Sequence, residues 1–170
     1  MNNLVLNTHL SLDDYIKVNL YLLYQRFMVK VTTAIGIFIL AWLVYYRDMM
    51  HGFPWLQSFL GLYLIVGFPL TTYFSAKRNY RLNSRIREHI SYEFNEEYLE
   101  MIGDTFRVQL TWSKIYRVSE SNSWVLIWQN PHTADIVPKR DFTKGTLAAF
   151  KNILTLHPSV KNDMKKRLHS

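Results

Sequence analysis

The sequence predicts an α+β membrane protein: an N-terminal hairpin of two transmembrane helices, then an antiparallel β-sheet capped by a C-terminal helix. Three observations predict it. Residues 53–76 run for 24 positions without an Asp, Glu, Lys or Arg. Residues 31–46 give 16 more, extendable to Phe27 if Lys30 reaches toward the membrane surface. A helix needs about 20 mainly apolar residues to cross a hydrocarbon core of about 30 Å. Beyond Ile90 the pattern changes to short alternating runs separated by turn residues, which is how antiparallel strands read.

Taken in order, Leu4 to Leu10 reads as a short strand. Ser11 then caps a helix with Asp13 and Asp14 in its first turn, where the positive end of the helix dipole favours acids. This helix is broadly apolar, and residues 1–26 are expected to hold the strand and a helix that lies at the membrane interface and runs into the first span. The spans themselves are expected at 27–46 and 53–76. Arg47, Asp48, His51 and Gly52 make the short polar loop between them, and Pro54 suits the first turn of the second helix. Trp42, Tyr45, Tyr46, Phe53 and Trp55 gather at that end as an aromatic belt. Pro69 is expected to interrupt the second helix and kink it.

The charge is divided between the two halves. Residues 1–52 carry four basic and three acidic side chains, whereas residues 77–170 carry 16 and 10. Lys17, Arg26 and Lys30 precede the first span, and Lys77, Arg78, Arg81, Arg85 and Arg87 follow the second. The positive-inside rule therefore puts both termini of a multi-pass membrane protein in the cytoplasm. A basic half beside a membrane points to anionic lipid, and no zinc knuckle or glycine-rich basic loop points to nucleic acid. With no cysteine in the chain, disulfides, thiol nucleophiles and cysteine metal sites are excluded. No cleavable signal peptide is visible, since Asn2, Asn3, Asp13 and Asp14 replace the usual basic start and apolar run.

Residues 77–89 read as a basic juxtamembrane linker, and 90–170 as a cytoplasmic domain with a basic tail. Its strands are expected at Ser91–Phe94, Tyr98–Ile102, Thr105–Thr111, Ile115–Val118, Trp124–Gln129 and Ala134–Val137, with a tight turn at Gly103-Asp104. Asn130-Pro131-His132-Thr133 is a turn cluster. Thr143 caps a helix in which Leu147, Phe150, Ile153 and Leu154 share a face. Lys161, Lys165, Lys166 and Arg167 form the tail, read as one further helix.

Several stretches in this order resemble the YcxB-like family of small bacterial membrane proteins. They are Leu12-Asp13-Asp14-Tyr15-Ile16 with Asn19-Leu20-Tyr21, Tyr92-Glu93-Phe94, Trp112-Ser113-Lys114-Ile115 with Val118 and Glu120, and Ile136-Val137-Pro138-Lys139-Arg140 with Phe142. The resemblance implies a membrane-anchored, pleckstrin-homology-like (PH-like) domain, a bent antiparallel sheet capped by the C-terminal helix. It brings no catalytic residues. It also implies an alternative role, that of an immunity protein protecting the cell against a membrane- or envelope-targeting toxin.

The candidate site residues follow from charge. Lys77, Arg78, Arg81, Arg85 and Arg87 are candidates for lipid contact, with positions 77, 81 and 85 on one face of a helix continuing from the second span; the plainer reading is a topology signal alone. Lys139 and Arg140 are candidates for a ligand or partner surface, set against a solvated edge beside a proline-fixed turn. Trp112, Trp124 and Trp128 read as core residues rather than the lining of a peptide or lipid groove. Asp13 with Asp14 reads as a helix start, and Glu96, Glu97 and Glu100 as a solvated turn and strand edge. His9, His51, His89, His132, His157 and His169 show no ligand spacing along the chain, so no metal, cofactor or catalytic residue is expected. Gly61 and Gly67 could allow close helix packing without forming a GxxxG pattern. The expected function is a non-enzymatic binding module that contacts membrane lipids or a protein partner. A cognate toxin is the partner in the immunity alternative, and nucleic acid is a partner in neither.

Overall fold

From Leu4 to His9 the side chains alternate, with Leu6 and Thr8 buried and Val5, Asn7 and His9 exposed. That two-residue period marks the segment, β1, as a strand with one face turned to a core; it is the first strand of its sheet. In the computed structural model, which describes residues 4–49, 52–131 and 133–164, the chain divides into two compact units. One is Leu12–Leu82. The other comprises β1 and everything from Asn83 onward.

The helical unit contains α1 (Leu12–Gln25), α2 (Phe27–Tyr45) and α3 (Trp55–Leu82). Helices α2 and α3 are long and apolar enough to cross a membrane, and most of their large side chains are exposed on the hairpin. At 1.5 Å per residue they reach about 28 and 42 Å. The chain does not run straight from α1 into α2: Arg26 takes an extended backbone, φ −73° and ψ 125°, and separates them. Helix α1 packs along α3, with the rings of Tyr15 and Tyr80 6.0 Å apart.

Pro69 does not end α3, which continues without a break to Leu82. Nearby, the Thr71 hydroxyl donates to the carbonyls of Gly67 and Phe68 at 2.9 and 3.0 Å. Helices α2 and α3 touch at two glycines. A Cβ on Gly36 would stand 2.8 Å from the Gly61 carbonyl oxygen, and one on Gly61 would stand 2.8 Å from Leu40. At Gly67, also singled out in the sequence, the atoms nearest an added Cβ belong to Tyr63 of its own helix, from 3.0 Å. The turn between the helices includes Gly52 at φ +103°, a backbone that favours glycine.

The second unit is built on two four-stranded sheets. The first has the order β1-β2-β3-β4 and is antiparallel throughout, with β2 at His89–Phe94, β3 at Tyr98–Ile102 and β4 at Arg107–Thr111. The second has the order β7-β6-β5-β8, with β5 at Arg117–Glu120, β6 at Trp124–Trp128, β7 at Ala134–Pro138 and β8 at Lys161–Asp163. Strand β8 runs parallel to β5, so Lys161 lies in a strand where the sequence suggested a helix. Lys165, Lys166 and Arg167 of that expected tail helix lie outside the described residues.

The turns follow from side-chain chemistry. The Asn95 carboxamide accepts from the N–H groups of Glu97 and Tyr98 at 2.9 and 2.8 Å and closes β2 onto β3. Gly103 donates to the Phe106 carbonyl at 2.8 Å and closes β3 onto β4. Helix α4 (Lys144–Thr155) begins where the Thr143 hydroxyl accepts the Thr146 N–H at 3.2 Å. Its Phe150 and Leu154 complete one core with Leu6, Tyr92, Phe94, Leu99, Val118, Ile127 and Val137. Phe150 meets Phe94 edge-on, ring centres 4.7 Å apart. Burying a side chain of that size contributes about 1.5–3 kcal/mol.

Candidate functional site

The basic stretch after the apolar helices is split between the two units. Lys77, Arg78 and Arg81 ride on the last turns of α3; Arg78 and Arg81 are exposed, and the Lys77 ammonium lies 5.9 Å from the Tyr73 ring centre. The helix stops at Leu82. There the Asn83 side chain accepts the Arg85 N–H at 3.1 Å and starts a 3-10 turn over Ser84–Arg87. Arg85 therefore does not continue the face shared by positions 77 and 81, contrary to the helical spacing read from the sequence. Its guanidinium lies over the Phe106 ring, 5.6 Å from the centre, while Arg87 is exposed. Among the described residues no carboxylate forms an ion pair with Arg78, Arg81 or Arg87.

Glu88 fixes this linker to the β3–β4 turn. Its carboxylate accepts from the Thr105 hydroxyl at 2.6 Å and the Thr105 N–H at 2.9 Å. Those hydrogen bonds hold the Glu88 carboxyl below the usual carboxylate range. The fit needs a glycine opposite, because a Cβ on Gly103 would come within 2.8 Å of the Glu88 carboxylate and 2.5 Å of the Phe106 ring.

Lys139 and Arg140 bond to different partners. Lys139 donates to Glu120 on β5 at 2.5 Å, and Lys151 of α4 reaches the other oxygen at 2.8 Å. The Glu120 side chain is only 5 % exposed. Burial alone would push its carboxyl up, but the two ammonium groups outweigh that and hold it low. Arg140 donates instead to the His9 carbonyl at 3.3 Å, with its Nε 3.6 Å from Asp141.

The acidic residues singled out in the sequence divide between exposed and bonded positions. Glu96 and Glu97 are exposed in the β2–β3 turn, as expected. Glu100, expected on a solvated edge, is instead buried on β3, where Arg107 of β4 holds both of its oxygens at 2.5 and 3.1 Å. The pairing has a reason in the register, which sets Glu100 directly opposite Glu93, a repulsion that Arg107 offsets. Asp13 pairs with Lys17 one helical turn on. Asp135 faces Ile127 across the β6–β7 ladder and, among the described residues, accepts from the Gln129 amide at 2.8 Å; burial raises its carboxyl above the usual range.

Trp112, Trp124 and Trp128 are all buried. The Trp112 indole donates to the Asn95 carbonyl at 2.9 Å and the Trp128 indole to the Ser119 hydroxyl at 2.8 Å, while the Arg117 guanidinium lies 4.6 Å above the Trp128 ring. Among the described residues no group of three or more His, Asp or Glu side chains could hold a metal ion. Two histidines do meet: His9 and His89 stack with ring centres 4.6 Å apart. Spacing along the chain could not show this pair, because the two residues lie in separate segments joined only by the β1–β2 ladder. His51, His132 and His169 lie outside the described residues.

A pair of long apolar helices followed by an α+β domain with two sheets and a closing helix defines the class of protein. Residues 94–154 match the model of the family described as YcxB-like protein, the family that the motifs from Trp112 to Phe142 resemble. The match runs from the last residue of β2 into α4 and leaves out β1, the three long helices and β8. No curated protein and no solved structure matches the chain.

Proposed function

We propose that this protein is a non-enzymatic binding module anchored in the bacterial inner membrane by α2 and α3. Both termini are cytoplasmic, and the PH-like domain meets its partner at the membrane surface. Anionic lipid is the partner that the charge favours. The observation that carries this reading is the continuation of α3 past its apolar stretch into the exposed cations Arg78 and Arg81, followed by exposed Arg87. Each such side chain near an anionic leaflet contributes on the order of 1 kcal/mol. Two sheets around one core, closed by α4, support the PH-like reading that the sequence resemblance implies. The non-enzymatic reading is supported by the way the buried carboxylates are used: Glu88 holds a turn, Glu100 an arginine and Glu120 two lysines.

The test is protease cleavage of the full-length protein in vesicles of phosphatidylcholine alone or mixed with phosphatidylglycerol. Anionic vesicles should slow cleavage in the linker around Asn83. The protection should fade at high salt, where the screening length falls from about 8 Å to about 3 Å. Changing Arg78 and Arg81 together to Gln should remove it. Equal cleavage of the parent protein in both kinds of vesicle would overturn the lipid reading and leave the basic residues as a topology signal.

A further inference from the structure

His9 ends β1 and His89 begins β2, and the antiparallel register sets them directly opposite each other. Both side chains are exposed on the sheet face away from the core, since their neighbours Thr8 and Glu88 are buried. The two imidazole rings lie 4.6 Å apart and only 19° from parallel. We propose that His9 and His89 form a two-histidine site for a divalent transition-metal ion of the zinc, nickel or copper type, which clips the N-terminal strand to β2.

The chemistry follows from the donors. Imidazole nitrogen is a borderline ligand that suits zinc, nickel and copper and is a poor match for magnesium or calcium. Directly opposed residues of an antiparallel pair have Cβ atoms about 4.5–5.5 Å apart. Metal–nitrogen bonds of about 2.0–2.1 Å then need only ring rotations to bring one nitrogen of each imidazole onto the same ion. Water fills the remaining positions. The charged groups around the pair are occupied elsewhere: Arg140 donates to the His9 carbonyl and lies beside Asp141, and Glu88 is turned toward Thr105.

The placement gives the ion a mechanical consequence. All three long helices lie in the chain between His9 and His89, so an ion held by both closes a loop that contains the whole helical unit. Cross-links over long loops constrain the unfolded chain most, and an ion that binds only the folded chain stabilises it by mass action. The proposal rests on the sheet register alone and does not depend on lipid binding.

The experiment titrates zinc, nickel and magnesium chlorides into full-length protein without a histidine tag, followed by calorimetry and by melting temperature. One zinc or nickel ion should bind per chain and raise the melting temperature, while magnesium does neither. His9→Ala and His89→Ala should each weaken zinc binding about tenfold or more, because the second ligand acts as an intramolecular one. His9→Asn repeats the test with a polar side chain, and His169→Ala should bind zinc as the parent does. Melting temperatures without metal identify which variants are folded. Absence of zinc binding by the parent, or binding that folded His9 and His89 variants retain in full, would overturn the proposal.

Discussion

Gly36 and Gly61 meet backbone to backbone, so closely that a methyl group on Gly36 would lie 2.8 Å from the Gly61 carbonyl oxygen and 2.9 Å from Ile65. Both obstacles belong to α3, and a carbonyl oxygen cannot swing aside as a side chain can. Gly36→Leu should therefore push the two helices apart and destabilise the hairpin by about 1–3 kcal/mol, the usual cost of overpacking. Thermal unfolding in detergent measures it. Gly145→Ala is the control: its Cβ meets nothing within 4 Å, and it should be neutral or stabilising by up to about 1 kcal/mol. A Gly36→Leu protein that melts with the parent would mean that the helices do not cross at these glycines.

Glu120 is the carboxylate on which Lys139 and Lys151 converge. Glu120→Gln leaves two half-buried ammonium groups facing each other and should cost about 1–3 kcal/mol in urea unfolding at neutral pH. The pH dependence has a fixed sign. The folded carboxyl titrates below its unfolded value of about 4.3, so its contribution is complete above that value and is lost as the pH falls through the lower, folded one. The gap between parent and variant should therefore narrow on acidification below about pH 4.

Asp135 should behave in the opposite sense. Its folded carboxyl titrates above the unfolded value of about 3.9, so ionisation costs stability as the pH rises through that range. Asp135→Asn keeps an acceptor for the Gln129 amide and removes the charge. Its urea midpoint should exceed that of the parent at pH 7 and converge on it below about pH 4. Equal midpoints at both pH values would show that the carboxylate is solvated.

The orientation expected from the basic flanks is tested by reporter fusions. A fusion after Met49, in the turn between α2 and α3, should report the outer side of the membrane, and a fusion after Ser170 the cytoplasm. A periplasmic signal from Ser170 would invert the topology.

Much of the architecture could be read from the sequence where the signal is local. Long charge-free runs mark α2 and α3 because the apolar signal is carried by the residues of the helices themselves, and Thr143 marks the start of α4 because its hydroxyl caps the helix from the adjacent position. What was hidden depends on partners distant in the chain. Nothing near Leu4 reveals that it pairs with Phe94, and nothing near Gly36 reveals Gly61. The burial of Glu100 is hidden for the same reason, since it depends on Arg107 across the ladder. The break before Arg85 did have a local signal. Asn83 offers its side chain to the backbone and competes with the helix, but the basic spacing beyond it suggested continuity.

The position of β1 imposes an order on biogenesis. The ribosome makes Leu4–His9 before the helices, yet the strand that receives it, His89–Phe94, emerges only after α1, α2 and α3. Until then the N-terminal strand has no sheet to join, and the domain cannot close before the hairpin has left the exit tunnel. A shortened polypeptide starting at Asn83 would lack that strand altogether and expose the backbone edge of β2, the kind of open template that draws chains into aggregates. Re-attaching Leu4–His9 to such a fragment through a flexible linker is the direct way to make the α+β domain soluble without its helices.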